Sequence, residues 1–234
     1  MRLDMLARLR ELSGQGKPAV VVTRLRDGAQ ALVHDHAVEG DLALGPEIIE
    51  QARARVRTDL SGSLDGDLFV RVYNPPLRLL IVGAVHIAQA LASIAETAGF
   101  QAVVIDPRTA YATGERFASA RLVAEWPDQA LEKLAPDSRT AVVTLTHDPK
   151  LDEPALVRAL QSGAFYIGSL GSRKTHAARL ARLRAAGVAE VSLARIHAPV
   201  GLPLGGRRPA EIAVSIMAEI IQELHREQVA ENPN

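Results

Sequence analysis

Apolar positions change rhythm partway along the chain, and the change divides it. Leu3, Leu6, Leu9 and Leu12 recur at helical spacing and predict an amphipathic helix that stops near Gly14. Segments 18–24 (PAVVVTR) and 29–34 (AQALVH) flank Asp27-Gly28, a pair suited to the left-handed backbone of a tight hairpin. Gly45-Pro46 opens a second helix to about Arg57, with proline in the first turn, where its missing N–H costs nothing. Ser61-Gly62-Ser63 interrupts it, and residues 67–73 read as another strand. Asn74-Pro75-Pro76 then stiffens the chain into an extended link that continues neither ladder nor helix. Residues 1–74 are therefore expected to form a small α+β domain, and 75–234 a second one.

Beyond the prolines, aliphatic strands alternate with helices. Residues 77–83 (LRLLIVG) form a near-continuous apolar run, expected where both faces of a parallel strand are buried. A helix over 87–98 follows. Strands are predicted at 102–106 (AVVID), 121–125, 140–146 (TAVVTLT) and 164–170 (AFYIGSL). Helices are predicted at 152–161, with Pro154 in the first turn, at 175–186, and at 209–226, where Ile212, Ile216, Met217, Ile220, Ile221 and Leu224 share a stripe. This is a doubly wound α/β domain, and right-handed crossovers give the expected strand order 3-2-1-4-5.

Composition narrows the function classes. Hydrophobic residues make up 47% of the 234 and aromatics only 3%, so the core must be aliphatic. Net charge is zero, without the basic excess or interleaved aromatics of a nucleic-acid binder. No apolar run approaches the roughly 18 residues that a membrane helix needs. The start, Met1-Arg2-Leu3-Asp4, has no apolar signal core, so a cytoplasmic location is expected by elimination. With no cysteine, disulfides and thiolate metal sites are excluded. His34 and His36 are spaced for one strand face, but no third metal ligand stands near them.

In a doubly wound sheet, ligands bind beyond the carboxyl ends of the strands, where the winding reverses. The expected order brings three loops there: Gly83-Ala84-Val85-His86, Thr146-His147-Asp148 with Pro149-Lys150, and 168–174 (GSLGSRK). The first is an imperfect dinucleotide fingerprint, with Val85 and Ala88 where GxGxxG has glycine. Ala88 suits close helix packing, whereas Val85 obstructs the approach of a pyrophosphate. Asp106, ending the second strand, is placed to accept ribose hydroxyls; the alternative is a first loop that is only structural. His147 has a ligand-contact reading, and Asp148 both that reading and a compatible one as a helix cap. Gly168, Ser169, Gly171, Ser172 and Arg173 carry the best anion-binding chemistry, with backbone N–H groups, a cation and a helix amino end. Arg179, Arg182 and Arg184 read as a solvated face. The Pro/Gly-rich stretch around His197-Ala198-Pro199 and Gly205-Gly206 can fold over the crevice as a lid.

The runs TLTHDPKLDEPAL, AFYIGSLGSRKTHAARLARL, ARIHAPVGL and PAEIAVSIMAEI, in that order, resemble the Rossmann domain of the XdhC/CoxI family. These are accessory proteins for xanthine dehydrogenase, carbon monoxide dehydrogenase and related molybdenum hydroxylases. The resemblance covers about Pro76 to Leu224, and the first domain looks like a shortened form of the family's amino-terminal one. It implies binding of the molybdenum cofactor, as molybdopterin or its cytosine dinucleotide. It also implies help with sulfuration through a cysteine desulfurase-type sulfurtransferase, and insertion into an apo-hydroxylase of the xanthine dehydrogenase family, and it leaves a homodimer open. Two departures stand out. Many relatives have glycines where this chain has Val85 and Ala88, and some carry a Gly-Gly-Cys segment, whereas this chain has no cysteine to hold a persulfide. An NAD(P)-dependent oxidoreductase and a nucleotide-binding scaffold are the competing readings; no Tyr-x-x-x-Lys pair supports the first.

Overall fold

The structure, a computed structural model, describes residues 3–35 and 37–226. The chain divides into two compact units, Met1–Pro75 and Pro76–Asn234.

The first unit contains α1 (Leu3–Gly14), β1 (Ala19–Arg24), β2 (Gln30–His34), β3 (Ala37–Gly40), α2 (Pro46–Thr58), β4 (Gly62–Asp65) and β5 (Leu68–Tyr73). Its antiparallel sheet runs β3-β2-β1-β5-β4. Alternation along β1 sends Val20 and Val22 to one face, with Ala52 of α2, and Ala19 and Val21 to the other, with Met5, Leu9 and Leu12 of α1. The hairpin turns at Asp27-Gly28 as its sequence requires, with Gly28 left-handed. Strands β3 and β4 are additions to the predicted set. Both are four residues long, and β3 is largely exposed, so neither shows an apolar rhythm.

The second unit contains β6 (Leu77–Val82), α3 (His86–Thr97), β7 (Phe100–Ile105), β8 (Arg121–Val123), α4 (Pro127–Leu134), β9 (Thr140–Thr144), α5 (Pro149–Gln161), β10 (Tyr166–Ser169), α6 (Arg173–Ala185), α7 (Glu190–Leu193), β11 (Ile196–His197) and α8 (Pro209–Leu224). All its strands are parallel, in the order β11-β10-β9-β6-β7-β8. The expected 3-2-1-4-5 order holds, extended by a two-residue sixth strand beside β10. Each central strand feeds two cores. Leu79 and Ile81 of β6, Ala102 and Val104 of β7, and Ala141 and Val143 of β9 pack under α3 and α8. Their neighbours Leu80, Val82, Val103, Ile105 and Val142 pack under α4, α5 and α6. Two buried faces explain the unbroken aliphatic runs. Alanines at Ala88, Ala92 and Ala95 form the inner stripe of α3 together with Leu91.

One boundary moves for a physical reason. Helix α5 starts at Pro149, not Asp152, because the Asp148 side chain caps it by accepting from the Lys150 amide at 3.0 Å. Pro154 therefore lies inside the helix.

Leu156, fully buried on α5 beneath the central strands, tests this layer. Leu156→Ala is expected to cost about 2–5 kcal/mol, a cavity penalty read from the urea midpoint.

Candidate functional site

Strands β6 and β9 are neighbours, yet α3 leaves β6 for one face and α5 leaves β9 for the other. The carboxyl edge between them is the switch point. Gly83 closes β6 with φ +110°, and a Cβ there would sit 2.5 Å from Thr146 Cγ2. The loops after β6 and β9 therefore touch at a place only glycine can occupy. Ala84 is buried and His86 is exposed as the first residue of α3. Val85 has an ordinary extended backbone, with φ −89°, and its side chain packs partly against the core. Glycine at that position would add room but is not needed for the backbone. Among the described residues no side chain caps the amino end of α3, so its first N–H groups stay open to an anion.

Asp106 differs from its expected use. Its carboxylate is fully buried at the end of β7 and spoken for. Oδ2 accepts from the Ala84 amide and from Arg108 Nη2, both at 2.8 Å, and Oδ1 accepts from the Arg108 amide and Nε, both at 2.9 Å. Although burial works against ionisation, the Arg108 guanidinium and the two amides hold the carboxyl below its ordinary value. In this arrangement no oxygen is left over for a ribose hydroxyl. Arg108 stands in the place such a hydroxyl would need. The signal for this in the sequence is a cation two residues after the acid.

The loop after β9 hangs on a residue that sequence reasoning places inside a helix without a task. Asp152 is buried, and its Oδ1 accepts from Thr146 Oγ1 at 2.7 Å and from the Thr146 amide at 3.3 Å. Oδ2 accepts from the His147 amide at 3.1 Å. Thr146 Oγ1 in turn accepts from the Asp148 amide. Held this way, His147 adopts φ +62°, rare for a residue with a side chain, and stays exposed at the edge. Burial raises the Asp152 carboxyl above its ordinary value.

The loop after β10 sorts into interior and exterior halves. Gly168 and Ser169 lie inside the sheet. The Ser169 hydroxyl pairs with Thr144 Oγ1 at 2.6 Å, and a Cβ on Gly168 would meet Val200 and the Tyr166 ring. The sequence predicts both at the ligand; instead the sheet uses them internally, because β10 runs on through Ser169. Gly171, Ser172 and Arg173 do emerge at the edge, where Ser172 caps α6 by accepting from the Thr175 amide. Arg173 and Lys174 are exposed and carry no ion pair or hydrogen bond among the described residues. Arg179 is a correction. It is buried, not solvated, and its Nη2 donates to the Leu170 carbonyl at 2.9 Å, while Nη1 has no partner among the described residues. His176 Nδ1, one turn earlier on α6, is likewise enclosed and unpaired.

The stretch after β11 is tied to α8. Glu219 accepts from the Tyr166 hydroxyl at 2.5 Å and the Gly201 amide at 2.7 Å, with His197 Nδ1 at 3.3 Å. Ser215 donates to the Leu202 carbonyl, and Glu211 accepts from the amides of Arg207 and Arg208. In the first unit, His34 pairs through Nε2 with Glu39 at 2.7 Å, and His36 lies outside the described residues. Among the described residues no cluster could hold a metal ion, and no helix is long and apolar enough to cross a membrane.

Residues 79–220 match the XdhC Rossmann domain. The chain belongs to the XdhC family. Relatives of this XdhC-family chain include a protein of Bacillus subtilis named as a probable xanthine dehydrogenase component, 34% identical over 68% of this chain and 47% of that one. The molybdenum cofactor insertion chaperone PaoD of Escherichia coli is 33% identical over 67% and 43%. An uncharacterized Escherichia coli protein, YqeB, is 34% identical over 76% and 33%. The chain thus spans a third to about half the length of these relatives. The crystal structure of a protein described as a xanthine dehydrogenase from Bacillus halodurans superposes with a TM-score of 0.74 at 27% identity, covering 98% of this chain and 66% of that one.

The Asp106 arrangement has a pH signature. A carboxyl held below its ordinary value of 3.8 contributes stability in full above that value and loses it as pH falls toward the folded one. Asp106→Asn is therefore expected to be less stable than the natural chain at pH 7. The gap between their urea midpoints should narrow as pH drops below about 4.

Proposed function

We propose that this chain binds the molybdenum cofactor at the switch-point crevice and acts as an accessory chaperone. It would carry the cofactor, as molybdopterin or its cytosine dinucleotide, to an apo-hydroxylase of the xanthine dehydrogenase family. The observation that carries the reading is a convergence at one sheet edge. The open amino end of α3 at His86, the exposed His147 and the unpaired Arg173 all stand on loops that the strand order gathers there. A phosphate-bearing ligand fits such donors. The identity to a protein named as a molybdenum cofactor insertion chaperone supplies the cargo class.

In this reading the cofactor is cargo, and its molybdenum does its chemistry in the receiving enzyme. The residues here bind and orient. The α3 amides and Arg173 hold phosphate, and His147 and Asp148 border the space beside it. Sulfuration draws its sulfur from a cysteine desulfurase-type partner, since no cysteine in this sequence can carry it. Asp106, fully engaged with Arg108 and Ala84, weighs against the competing oxidoreductase reading in its ordinary NAD-binding form.

Calorimetry with the purified cofactor tests this. Arg173→Ala is expected to weaken binding by about 1.5–3 kcal/mol, the range of a charge-assisted hydrogen bond, and to slow activation of an apo-hydroxylase in the same assay. An unchanged dissociation constant would return Arg173 to the solvent.

A further inference from the structure

The end of β7 holds a cation and a ring that the reading above does not use. Arg108 turns one edge of its guanidinium, Nε and Nη2, into the buried Asp106 carboxylate. Its Nη1 has no hydrogen-bond partner among the described residues, and 40% of the side chain remains exposed. The guanidinium carbon lies 5.0 Å from the centroid of the Tyr111 ring, which is itself 53% exposed. This geometry is held from behind. Tyr111 donates its amide to the Arg108 carbonyl at 3.0 Å, and Arg116 donates to the Tyr111 carbonyl at 2.5 Å and to Gln89 of α3 at 3.2 Å. Gln89 returns a bond to the Arg116 carbonyl at 3.1 Å.

We infer that the end of β7 is a phosphate-monoester subsite, read by the free edge of Arg108 beside Tyr111, and that it prefers a monoester to an unmodified ribose diol. In doubly wound domains the acid at the end of the second strand takes the ribose hydroxyls, and where a phosphate replaces a hydroxyl an arginine receives it. Here the acid is sealed by the arginine, so the hydroxyl acceptor is missing and a fork-shaped donor stands over its place. Asp148 is the opposing group. It adds negative charge to the surroundings of Arg108 and so works against the anion, and the expected preference is about tenfold, or 1.4 kcal/mol.

Two sources can supply such a group. One is the 2′-phosphate of a dinucleotide; the other is the terminal phosphate of the nucleotide-free pterin cofactor, and only this second source rests on the proposed function. Two matched pairs separate them: NADPH against NADH, and the nucleotide-free cofactor against its cytosine dinucleotide, each titrated into the full chain by fluorescence or calorimetry. At least one pair should show about tenfold tighter binding of the monoester. That ratio should fall to near one in Arg108→Ala. Because this change strands the buried Asp106 carboxylate, Asp106→Asn combined with Arg108→Gln is measured beside it, and circular dichroism checks both folds. A preference in the first pair assigns the dinucleotide source even if no pterin binds, which would overturn the cargo reading but not the subsite. A preference in the second pair assigns the pterin. Equal binding within both pairs, no binding of any probe at millimolar concentration, or a preference that survives both Arg108 variants overturns the subsite.

Discussion

A carboxylate removed from water must collect donors, and on this sheet edge the donors are loop amides. Asp106 draws in the amide of Ala84, fastening the loop after β6 to the end of β7. Asp152 draws in the amides of Thr146 and His147, fastening the loop after β9 to α5. The two acids sit on opposite sides of the switch point, and their proton affinities are displaced in opposite directions. Asp106 has a guanidinium in direct contact and is held ionised. Asp152 has amides and a hydroxyl, with Arg179 as its charge partner but no direct ion pair, and burial dominates. Removing either would leave several N–H groups unpaired at once, a cost well beyond one hydrogen bond.

This constraint shapes what a ligand meets. The left-handed turn at His147 places an imidazole at the edge on a backbone that would relax without Asp152. Gly83 and Thr146 in contact fix the spacing between the two central loops. Farther along, Arg179 supports the Leu170 carbonyl from beneath, so the turn leading to Gly171 rests on a buried cation. The crevice is built on a floor of buried charges, and the groups left unsatisfied at its rim, Arg173, the α3 amides and the outer edge of Arg108, are those a ligand can claim.

Much of this is legible because two-sided burial writes itself into sequence. LRLLIV and TAVVT have no polar face to offer, so their place in the middle of a parallel sheet can be read directly. Short elements leave no such trace: β3 and β4 have four residues each, β11 has two, and α4 has eight. Within the site, topology gathers the loops correctly, but the direction of each side chain is not in the pattern. Ser169 and Arg173 lie four residues apart in one polar-looking run, and only the length of β10 decides that one faces inward. Arg179 sits in a helix, RKTHAARLARLRA, with basic residues all round it, so nothing in its spacing marks which arginine is covered. The motif alone makes Val85 an obstruction, whereas its extended backbone and packed side chain are properties of the fold.

The tie between Glu219 and the stretch after β11 bears on motion. A proline- and glycine-rich connection ordinarily opens by itself, as local fluctuations cost little where few contacts hold the chain. Here the amide of Gly201 ends on a carboxylate that also holds Tyr166, and the amide of Leu202 ends on the Ser215 carbonyl of α8. Their hydrogens should exchange with solvent on the timescale of the helix, not of a loop. Gly201 and Leu202 thus behave as the margin of α8, and a displacement of these two residues carries the helix along.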